Sequence, residues 1–493
     1  MLDRAQAQTL SHRLADVGYT LDATTDRLGD RATAALGRNT TLAARDALGL
    51  ADDAQASLIR LFLLHDELGA DAVAAALGDL GPLVESGVLV RSGSSVRAQV
   101  AIRPYAASGE DGGFEGWVVH DLIPTLDGRL GRSRADFVLG VSSASTTLAQ
   151  MTIRAPVGRA LDLGAGCGVQ SLHLARHAKQ VVATDLNPRA VSLAGLTADL
   201  NGVDLDLRQG SLFDPVAGEL FDLIVSNPPY VMSPPRGQRL VYREAPFSGD
   251  ELVRRVVTEG AAHLAPGGTL QVLGNWAVTT ADSWQDRVAG WVAPTGCDAL
   301  VLQRELLDPY EYIEIWLSDA GLVGSDEYRP RYREWLDYFA ALDITSVGLG
   351  WMMLHKAGRT VPDVRLEEWP HQVHQPVGEA FATHRDGVAL ADRTDAALLA
   401  TAWRLDERVD VETLGRPGDE DPRHIVFRQR FGFGRAVEVD TALGAVLGAS
   451  DGDLPVRQLI VAVADILDAD VDNLEAELVP RLRELVRQGY LRE

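Results

Sequence analysis

The feature that most constrains the fold is a regular alternation of apolar, strand-like runs and helical stretches between residues 115 and 356. Such alternation is typical of α/β proteins, in which each helix carries the chain back to begin the next parallel strand. Seven strands are predicted, at 159–163, 180–185, 204–210, 221–227, 269–276, 298–306 and 346–356. The pattern therefore predicts a seven-stranded, Rossmann-like sheet with a ligand-binding crevice at the carboxyl ends of its strands.

The segments on either side of this sheet have a different pattern. Residues 1–114 combine helical periodicity with a closing strand pair, and residues 357–493 combine an arginine-rich strand with three helical stretches. The heptapeptides at 83–89 (LVESGVL) and 485–491 (LVRQGYL) are similar, and each is placed where a helix would end. The sequence thus predicts an α/β domain at 115–356 between two α+β domains that are winged-helix-like.

Composition favours a cytoplasmic enzyme. Of the 493 residues, 46% are hydrophobic and 24% are charged, and no apolar run reaches the roughly 18–20 residues needed to span a bilayer. The first residues carry charges throughout, so no signal peptide is expected, and the two cysteines provide no disulfide framework. The net charge of −24 argues against indiscriminate binding to nucleic acid, because phosphates would be repelled.

A glycine-rich turn follows the first predicted strand of the sheet. Residues 160–168 read Ala-Leu-Asp-Leu-Gly-Ala-Gly-Cys-Gly and lead directly into a helical stretch. Glycines at 164, 166 and 168 let the backbone turn sharply and approach a ligand, with helix N–H groups directed at it. The next strand ends at Asp185, where a carboxylate can accept both ribose hydroxyls of a nucleoside.

The acid two residues before the first of these glycines, Asp162, distinguishes between possible cofactors. A dinucleotide site has the spacing Gly-x-Gly-x-x-Gly, whereas this turn has Gly-x-Gly-x-Gly preceded by Asp162. An acid there would repel a pyrophosphate but suits a ligand that carries an amino group and a sulfonium. We therefore predict S-adenosyl-L-methionine as the cofactor; a redox dinucleotide and a turn that serves packing alone are the alternatives.

The turn at 210–213 ends the third predicted strand at the same edge of the sheet. There the side chain at 211 and the N–H at 212 can contact the edge of an adenine, although an ordinary polar turn would have the same composition. The candidate cofactor-binding residues are therefore Asp162, Gly164, Ala165, Gly166, Gly168, Asp185, Leu186, Ser211, Leu212 and Asn227.

The fourth predicted strand ends in the stretch Ser-Asn-Pro-Pro-Tyr-Val, residues 226–231. Two prolines cannot continue a strand ladder, since each lacks a backbone N–H. The Asn227 side-chain oxygen and the Pro228 carbonyl can each accept one N–H of a planar NH₂ group, which turns its lone pair toward a methyl donor. The prolines stiffen the loop, so this order costs little entropy. The candidate catalytic residues are Asn227, Pro228, Pro229 and Tyr230, whose ring can stack on a flat substrate; the alternative is a turn that only ends the strand.

Together these motifs resemble those of the class I S-adenosylmethionine-dependent N-methyltransferases with an Asn-Pro-Pro-Tyr motif. That group includes release-factor glutamine methyltransferases and enzymes that methylate base amino groups in rRNA, tRNA and DNA. The resemblance covers about 135–356 and rests on residues 162–168, 185, 211–212 and 227–230.

The resemblance implies that the glycines and Asp185 hold the cofactor, and that Asn227, Pro228 and Tyr230 hold the target nitrogen. It also implies that residues 136–148 close over the cofactor and that residues 242–251 lie beside the substrate. Ser211 departs from the acidic or amide residue that is frequent at this point of the family.

The acceptor is less well determined, because a glutamine amide and a nucleobase amine both present a planar NH₂ group. Arginines alternate with phenylalanines in and next to the strand-like stretch at 424–435. They could contact phosphates and stack bases, or could form one solvated face and one core face. The residues concerned are Arg423, Phe427, Arg428, Arg430, Phe431, Phe433 and Arg435.

The sequence therefore predicts an N-methyltransferase that acts on the translation machinery, on an rRNA or tRNA base or on a protein glutamine. A methyltransferase of a small-molecule or secondary-metabolite amide or amine is one alternative, and a winged-helix regulator that senses the cofactor without catalysis is another. An aromatic insertion at 307–345 could cap the active site or pack as core. His371 and His374 lack a third ligand, so no metal is predicted.

Overall fold

The structure is a computed structural model that describes residues 1–107, 113–128, 134–235, 247–416 and 422–493. Its residue contacts divide the chain into two compact units: Met1–Ala149 with Pro156–Glu368, and Gln150–Ala155 with Trp369–Glu493. No helix in the described ranges is both long and apolar enough to cross a bilayer.

The first unit begins with a helical module. Its helices are α1 (Arg4–Asp16), α2 (Leu21–Leu28), α3 (Asp30–Gly37), α4 (Leu42–Leu48), α5 (Ala54–Phe62), α6 (Ala70–Leu77) and α7 (Gly81–Glu85). Three short strands form an antiparallel sheet in the order β1-β3-β2, with β1 (Leu68–Gly69), β2 (Leu89–Ser92) and β3 (Ser95–Ala98). A long hairpin follows, with β4 (Val100–Ala107) paired to β5 (Phe114–Asp121).

This helical module shares its hydrophobic core with the large sheet domain. Leu58 and Phe62 of α5 belong to the same buried cluster as Leu172 and Leu193, which lie on helices that flank the large sheet. A shared core makes the two parts one compact unit, which pattern analysis along the chain does not reveal.

The large sheet has eight strands in the order β13-β11-β12-β10-β9-β6-β7-β8. They are β6 (Val157–Leu163), β7 (Ala178–Asp185), β8 (Asp206–Gln209), β9 (Phe221–Ser226), β10 (Leu264–Thr279), β11 (Asp298–Leu307), β12 (Ile344–His355) and β13 (Val364–Glu368). Strand β12 runs antiparallel to β10 and β11, and the other neighbouring pairs are parallel. Leu161, Val182 and Ile224 are fully buried, as expected where helices cover both faces of a parallel sheet.

All seven predicted strands are present, but the predicted number is wrong because β13 adds an eighth. Its sequence, Val-Arg-Leu-Glu-Glu, is half-exposed at the edge of the sheet, so it lacks the apolar run that marks a buried strand. Because β13 pairs with β11, the first unit extends to Glu368, beyond the predicted boundary at 356.

Helices lie between the strands of this sheet. They are α9 (Val169–Leu174), α10 (Pro188–Leu200), α11 (Glu251–Gly260), α12 (Trp284–Val292), α13 (Pro309–Asp319) and α14 (Tyr328–Ala341), and a further helix, α8 (Ser143–Met151), precedes β6. Helix α10 begins with Asn187 as its N-cap, whose side chain accepts from the Arg189 N–H at 3.0 Å, and with Pro188 in the first turn.

The second unit is an α+β domain. Its helices are α15 (Gly378–Ala391), α16 (Asp395–Ala400), α17 (Thr441–Gly448), α18 (Val456–Ile466) and α19 (Val471–Arg487). Strands β15 (Val409–Leu414), β16 (His424–Gln429) and β17 (Ala436–Val439) form an antiparallel sheet, and β14 (Arg404–Leu405) pairs with β18 (Leu491–Arg492).

The arginine-rich region of this unit has one core face and one ion-paired face. Its phenylalanines are buried, with exposures of 2%, 6% and 4% for Phe427, Phe431 and Phe433. Arg428 pairs with Glu412 at 2.8 Å and Arg430 with Asp410 at 2.6 Å. The rings are therefore inaccessible to nucleic-acid bases, and the interpretation of this strand as a base-stacking surface is wrong.

The two similar heptapeptides form the same helix-to-strand turn. Gly87 after α7 has φ +77° and Gly489 after α19 has φ +79°, a conformation that favours glycine. In both, the residue after the glycine donates its N–H to the carbonyl five residues earlier, at 2.9 Å. This is a common way to satisfy the last carbonyls of a helix, so the shared letters reflect a shared turn.

Candidate active site

The carboxyl edge of the large sheet brings the predicted site residues together. Strand β9 lies beside β6, and β6 beside β7, with Ser226 paired to Leu163 and Leu163 to Thr184. The chain order reverses between β6 and β9, which is the switch point where open α/β sheets bind ligands. The residues that follow these pairs are neighbours on strands about 4.8 Å apart: Asn227, Gly164 and Asp185.

A cavity of about 420 Å³ opens at this switch point. Its volume is within the range of about 300–1,000 Å³ that is usual for small-molecule sites. Most of the predicted site residues line it: Asp162, Gly164, Ala165, Gly166, Asp185, Leu186, Ser211, Leu212, Asn227, Pro228 and Pro229.

Two predicted residues, Gly168 and Tyr230, are not among the lining residues. Gly168 has φ +81° and caps α9, and a Cβ there would lie 3.1 Å from Ala194, so this glycine allows two helices to pack closely. The Tyr230 ring lies edge-on to Trp316, with ring centroids 6.4 Å apart. The structure thus places both residues next to the cavity-lining residues in the chain but not among them.

The turn formed by Gly164 and Gly166 is open toward the cavity. Both glycines have positive φ, +79° and +55°, and a Cβ on either would meet nothing within 4 Å. The N–H groups of Gly164 and Ala165 donate to the Thr184 carbonyl at 2.8 and 2.9 Å, which fixes the turn against β7. The empty space above the two glycines is where a ligand can approach the backbone.

Asp185 is held with part of its hydrogen-bonding capacity unused. One carboxylate oxygen accepts from the Gly166 N–H at 2.9 Å and the other from the Asn187 N–H at 2.8 Å. Each oxygen of an ionised carboxylate can accept a further bond. Burial raises the pKa of Asp185, and donors from a ligand would favour the charged form. The arrangement suits a pair of ligand hydroxyls.

Asp162 is a buried acid at the cavity wall, with 2% of its surface exposed. Its carboxylate accepts from the Ser171 hydroxyl at 2.6 Å, and no lysine or arginine of the described ranges forms an ion pair with it. Burial raises the pKa of Asp162 to about 7, and the negative charge of Asp185 adds to the effect. Since a buried charge is costly without a partner, this site favours a ligand with a positive group.

Asn227 follows β9 next to the glycine turn, and its side chain has no hydrogen-bond partner among the described residues. In the described part of the chain no hydrogen bond engages its amide, although the residue is half-buried and lines the cavity. Pro228 beside it is buried. Asn227 and Pro228 thus both line the cavity, and no hydrogen bond within the described ranges engages the Asn227 amide.

The third-strand turn also reaches the cavity. Ser211 is exposed there, and Leu212 has φ +46°, which is uncommon for a residue with a side chain. Backbone strain of this kind costs about 1–3 kcal/mol and is concentrated at functional sites. The predicted contact of this turn with a ligand edge is therefore sterically open.

Other lining residues lie on segments 136–148 and 242–251, which were implied only by the family resemblance. Residues Phe137, Val138, Leu139, Gly140, Ser142 and Ser145 cover one side, and Phe247 lies on the other. Of the segment 242–251, residues 242–246 are outside the described residues. Gln170, Asn187, Leu252 and Val256 also line the cavity and carry no local sequence signal.

Parallel strands with a central switch point, a glycine turn open to the cavity and a carboxylate after the second strand define a Rossmann-like nucleoside-binding domain. Residues 139–288 match a family described as "Methyltransferase small domain", and residues 16–99 match a "Domain of unknown function". The resemblance to class I S-adenosylmethionine-dependent N-methyltransferases is thereby confirmed for the sheet domain.

Curated relatives are similar over the same region. The chain is 38% identical over 156 residues to a release factor glutamine methyltransferase of Deinococcus radiodurans, covering 30% of this chain and 56% of the relative. It is 34% identical over 118 residues to ribosomal RNA small subunit methyltransferase C of Alcanivorax borkumensis, covering 24% of this chain and 32% of the relative. The chain thus spans about half the length of the first of these relatives and about a third of the second.

A third relative is a putative protein N5-glutamine methyltransferase of Methanocaldococcus jannaschii, 36% identical over 118 residues, which covers 23% of this chain and 59% of the relative. Among solved structures, the T. thermophilus 16S rRNA N2 G1207 methyltransferase in complex with AdoMet and guanosine is 21% identical, covers 41% of this chain and 52% of that chain, and has a TM-score of 0.26.

Proposed function

We propose that this protein is an S-adenosyl-L-methionine-dependent N-methyltransferase whose acceptor is a planar amide or exocyclic amine nitrogen in the translation machinery. The observation that carries the proposal is the free Asn227 amide, held beside the open glycine turn in one cavity. A site that bound a nucleoside alone would have no need of an unpartnered amide, followed by two prolines, beside this turn.

The cofactor half of the cavity suits S-adenosyl-L-methionine. Asp185 would accept the ribose hydroxyls, Asp162 would pair with the ammonium group, and the turn at Ser211 and Leu212 would contact the adenine. Gly164 and Gly166 leave room for the ligand to lie against the backbone. When bound, the cofactor supplies the methyl group: the N–C bond forms as the C–S bond breaks, and sulfur keeps that electron pair as a neutral thioether.

The acceptor half orients a weak nucleophile. The lone pair of an amide or aromatic amine is delocalised, so the nitrogen must be held with that lone pair directed at carbon. The Asn227 oxygen and the Pro228 carbonyl would each accept one N–H, and Pro229 limits the motion of the loop. The nitrogen becomes cationic on methylation and then releases its proton to water, so no strong base is needed.

The relatives support an acceptor from the translation machinery. Two are named for a protein glutamine and one for ribosomal RNA, and both targets present a planar NH₂ group. Such acceptors are found in the cytoplasm, where we place the protein. We carry both acceptors forward, because the described cavity residues accommodate either.

The N-terminal module supports a winged-helix assignment. Its elements run α5, β1, α6, α7, β2, β3, and β3 lies between β1 and β2 in the sheet. A helix, strand, two helices and a closing hairpin in this sheet order are the arrangement of a winged helix. The second unit shares the last step, in which α19 leads through a glycine turn into β18. We propose that both modules are winged-helix-like and contact the acceptor macromolecule.

The test is to incubate the protein with radioactive S-adenosyl-L-methionine and a cell extract depleted of acceptors that are already methylated. The measured quantity is the label transferred to components of the extract. Label lost on RNase treatment identifies an RNA acceptor, and label lost only with protease identifies a protein. Label in the small-molecule fraction would replace the translation-machinery acceptor with a metabolite. No label above that of Asn227→Ala, with cofactor binding intact, would refute the activity and favour a cofactor sensor.

A further inference from the structure

The aromatic insertion at 307–345 emerges at the ligand-binding edge of the sheet. Strand β11 is antiparallel to β12, which is antiparallel to β10, so β11 and β10 run in the same direction. The carboxyl end of β11 at Leu307 is therefore on the same edge as Asn227. Helix α13 begins at that edge and α14 ends close to it, and both pack with Val231 and Met232, which follow the Asn-Pro-Pro-Tyr motif.

Tyr312 of α13 binds the chain just after this motif. Its side chain is fully buried, and its hydroxyl oxygen accepts from the Met232 backbone N–H at 3.0 Å. The same oxygen accepts from the Asn275 amide at 3.0 Å, and that amide also donates to the Tyr230 carbonyl at 2.8 Å. One tyrosine and one asparagine thus hold the last residue of the motif and the second residue after it.

Tyr338 of α14 binds the chain where it returns to the cavity. Its hydroxyl oxygen accepts from the Gly249 backbone N–H at 2.8 Å and lies 3.3 Å from the Ser248 hydroxyl. Phe247, which lines the cavity, directly precedes these residues. The next residue, Asp250, is anchored independently by the Ala277 N–H at 2.8 Å.

The two hydroxyls therefore bond to the described residues that follow the motif, at Met232, and that follow the cavity-lining Phe247, at Gly249. Packing alone does not require them, because phenylalanine would fill the same space. The Tyr312 hydroxyl is buried, where it would be costly without a hydrogen bond, and it bonds to the Met232 backbone. Tyr338 is half-buried, and its hydroxyl bonds to the Gly249 backbone. We propose that Tyr312 and Tyr338 are positioning residues that set the orientation of the methyl acceptor through residues 227–232 and 247–249. This inference rests on the proposed methyltransferase function.

The variants Tyr312→Phe and Tyr338→Phe remove the hydroxyls and keep the rings. Tyr332→Phe is the matched control, since its hydroxyl bonds Glu314 at 2.9 Å within the same insertion and reaches neither loop. Trp335→Phe is the control for general destabilisation, because Trp335 is buried in the same aromatic cluster. Thermal unfolding of all four variants is measured first, so that the later readouts are compared only between variants of equal stability.

The first readout is hydrogen exchange of peptides spanning 230–233 and 248–251, with S-adenosylhomocysteine present. Tyr312→Phe should speed exchange at Met232, and Tyr338→Phe at Gly249, on the order of two- to tenfold, as for one lost hydrogen bond. Tyr332→Phe should leave both unchanged. This readout needs no methyl transfer, so it separates failure of this inference from failure of the proposed function.

The second readout is steady-state transfer to the acceptor found in the labelling test. Tyr312→Phe and Tyr338→Phe should each lower kcat by up to about 10²-fold, the cost of a misplaced reacting group. Their affinity for the cofactor should stay within twofold of that of the parent. An equal loss of kcat in Trp335→Phe at equal stability would show a merely structural role and overturn the proposal. Unchanged exchange in both tyrosine variants would overturn it as well.

Discussion

The buried carboxylate of Asp162 should make both stability and cofactor binding depend on pH. Its pKa is raised from 3.8 to about 7, chiefly by burial, and the residue is 2% exposed. A shift of roughly 3 pH units at 1.36 kcal/mol per unit is about 4 kcal/mol of preference for the neutral acid. Ionisation in the ligand-free site therefore opposes folding.

The sign of this effect follows from proton binding. Between pH 4 and pH 7 the native carboxyl keeps a proton that the unfolded chain has already released, so the free energy of unfolding falls as pH rises. The decrease should end above about pH 7, where both states are ionised. Asp162→Asn removes the titrating group and keeps the side-chain shape. At pH 8, without ligand, the variant should be more stable than the parent, by at most about 4 kcal/mol.

Ligand binding should show the opposite trend. An ammonium group needs the ionised carboxylate, so the affinity of the parent for S-adenosylhomocysteine should rise through pH 7, with protons released on binding. In Asp162→Asn the affinity should be lower at pH 8 and nearly independent of pH. Titration calorimetry in two buffers of different ionisation enthalpy measures the released protons directly.

Denaturant unfolding of parent and variant at pH 5, 6, 7 and 8 completes the comparison. Parallel curves of unfolding free energy against pH would show that Asp162 does not titrate in this range, and the argument from its burial would be wrong. Ser171→Ala serves as a control. It removes the hydroxyl that bonds the Asp162 carboxylate but leaves the acid in place, so the free energy of unfolding should still depend on pH.

The other predictions concern the two halves of the cavity. Asn227→Ala should abolish methyl transfer while cofactor affinity stays within a few-fold; near-normal turnover would contradict its role. Asp185→Ala should weaken cofactor binding by about 1–3 kcal/mol, the cost of hydrogen bonds lost from a charged group, and unchanged affinity by calorimetry would remove it from the site. Gly164→Ala, at φ +79°, should cost roughly 1–2 kcal/mol of unfolding free energy through backbone strain and also weaken cofactor binding, since its methyl group enters the cavity; a loss of stability alone would place the ligand elsewhere.

Much of the site could be predicted from the sequence because its signals are local. The glycine turn, the acid that ends β7 and the proline pair after β9 each lie within a few residues of a predicted strand end. Parallel strands place their carboxyl ends at one edge, so three separate local signals combine into one cavity. Gly168 and Tyr230 were predicted to contact ligands by the same logic; neither lines the cavity, and their contact with a ligand stays a prediction.

Other segments were harder to interpret, because their local pattern is compatible with two environments. The alternation of arginine and phenylalanine near β16 fits a nucleic-acid surface and a half-buried strand equally well, and only the partners Glu412 and Asp410 decide between them. Strand β13 was missed because an edge strand carries few apolar residues.

Local patterns in the sequence are enough to predict the alternating α/β architecture, the order of the motifs and the chemistry that they can perform, because periodicity and turn geometry depend on near neighbours. The distant groups that hold the motif in place become apparent only in the folded chain. Tyr312 and Met232 are 80 residues apart in the chain, and Tyr338 and Gly249 are 89 apart. A hydrogen bond across such a separation depends on the packing of whole helices and leaves no pattern in the local sequence.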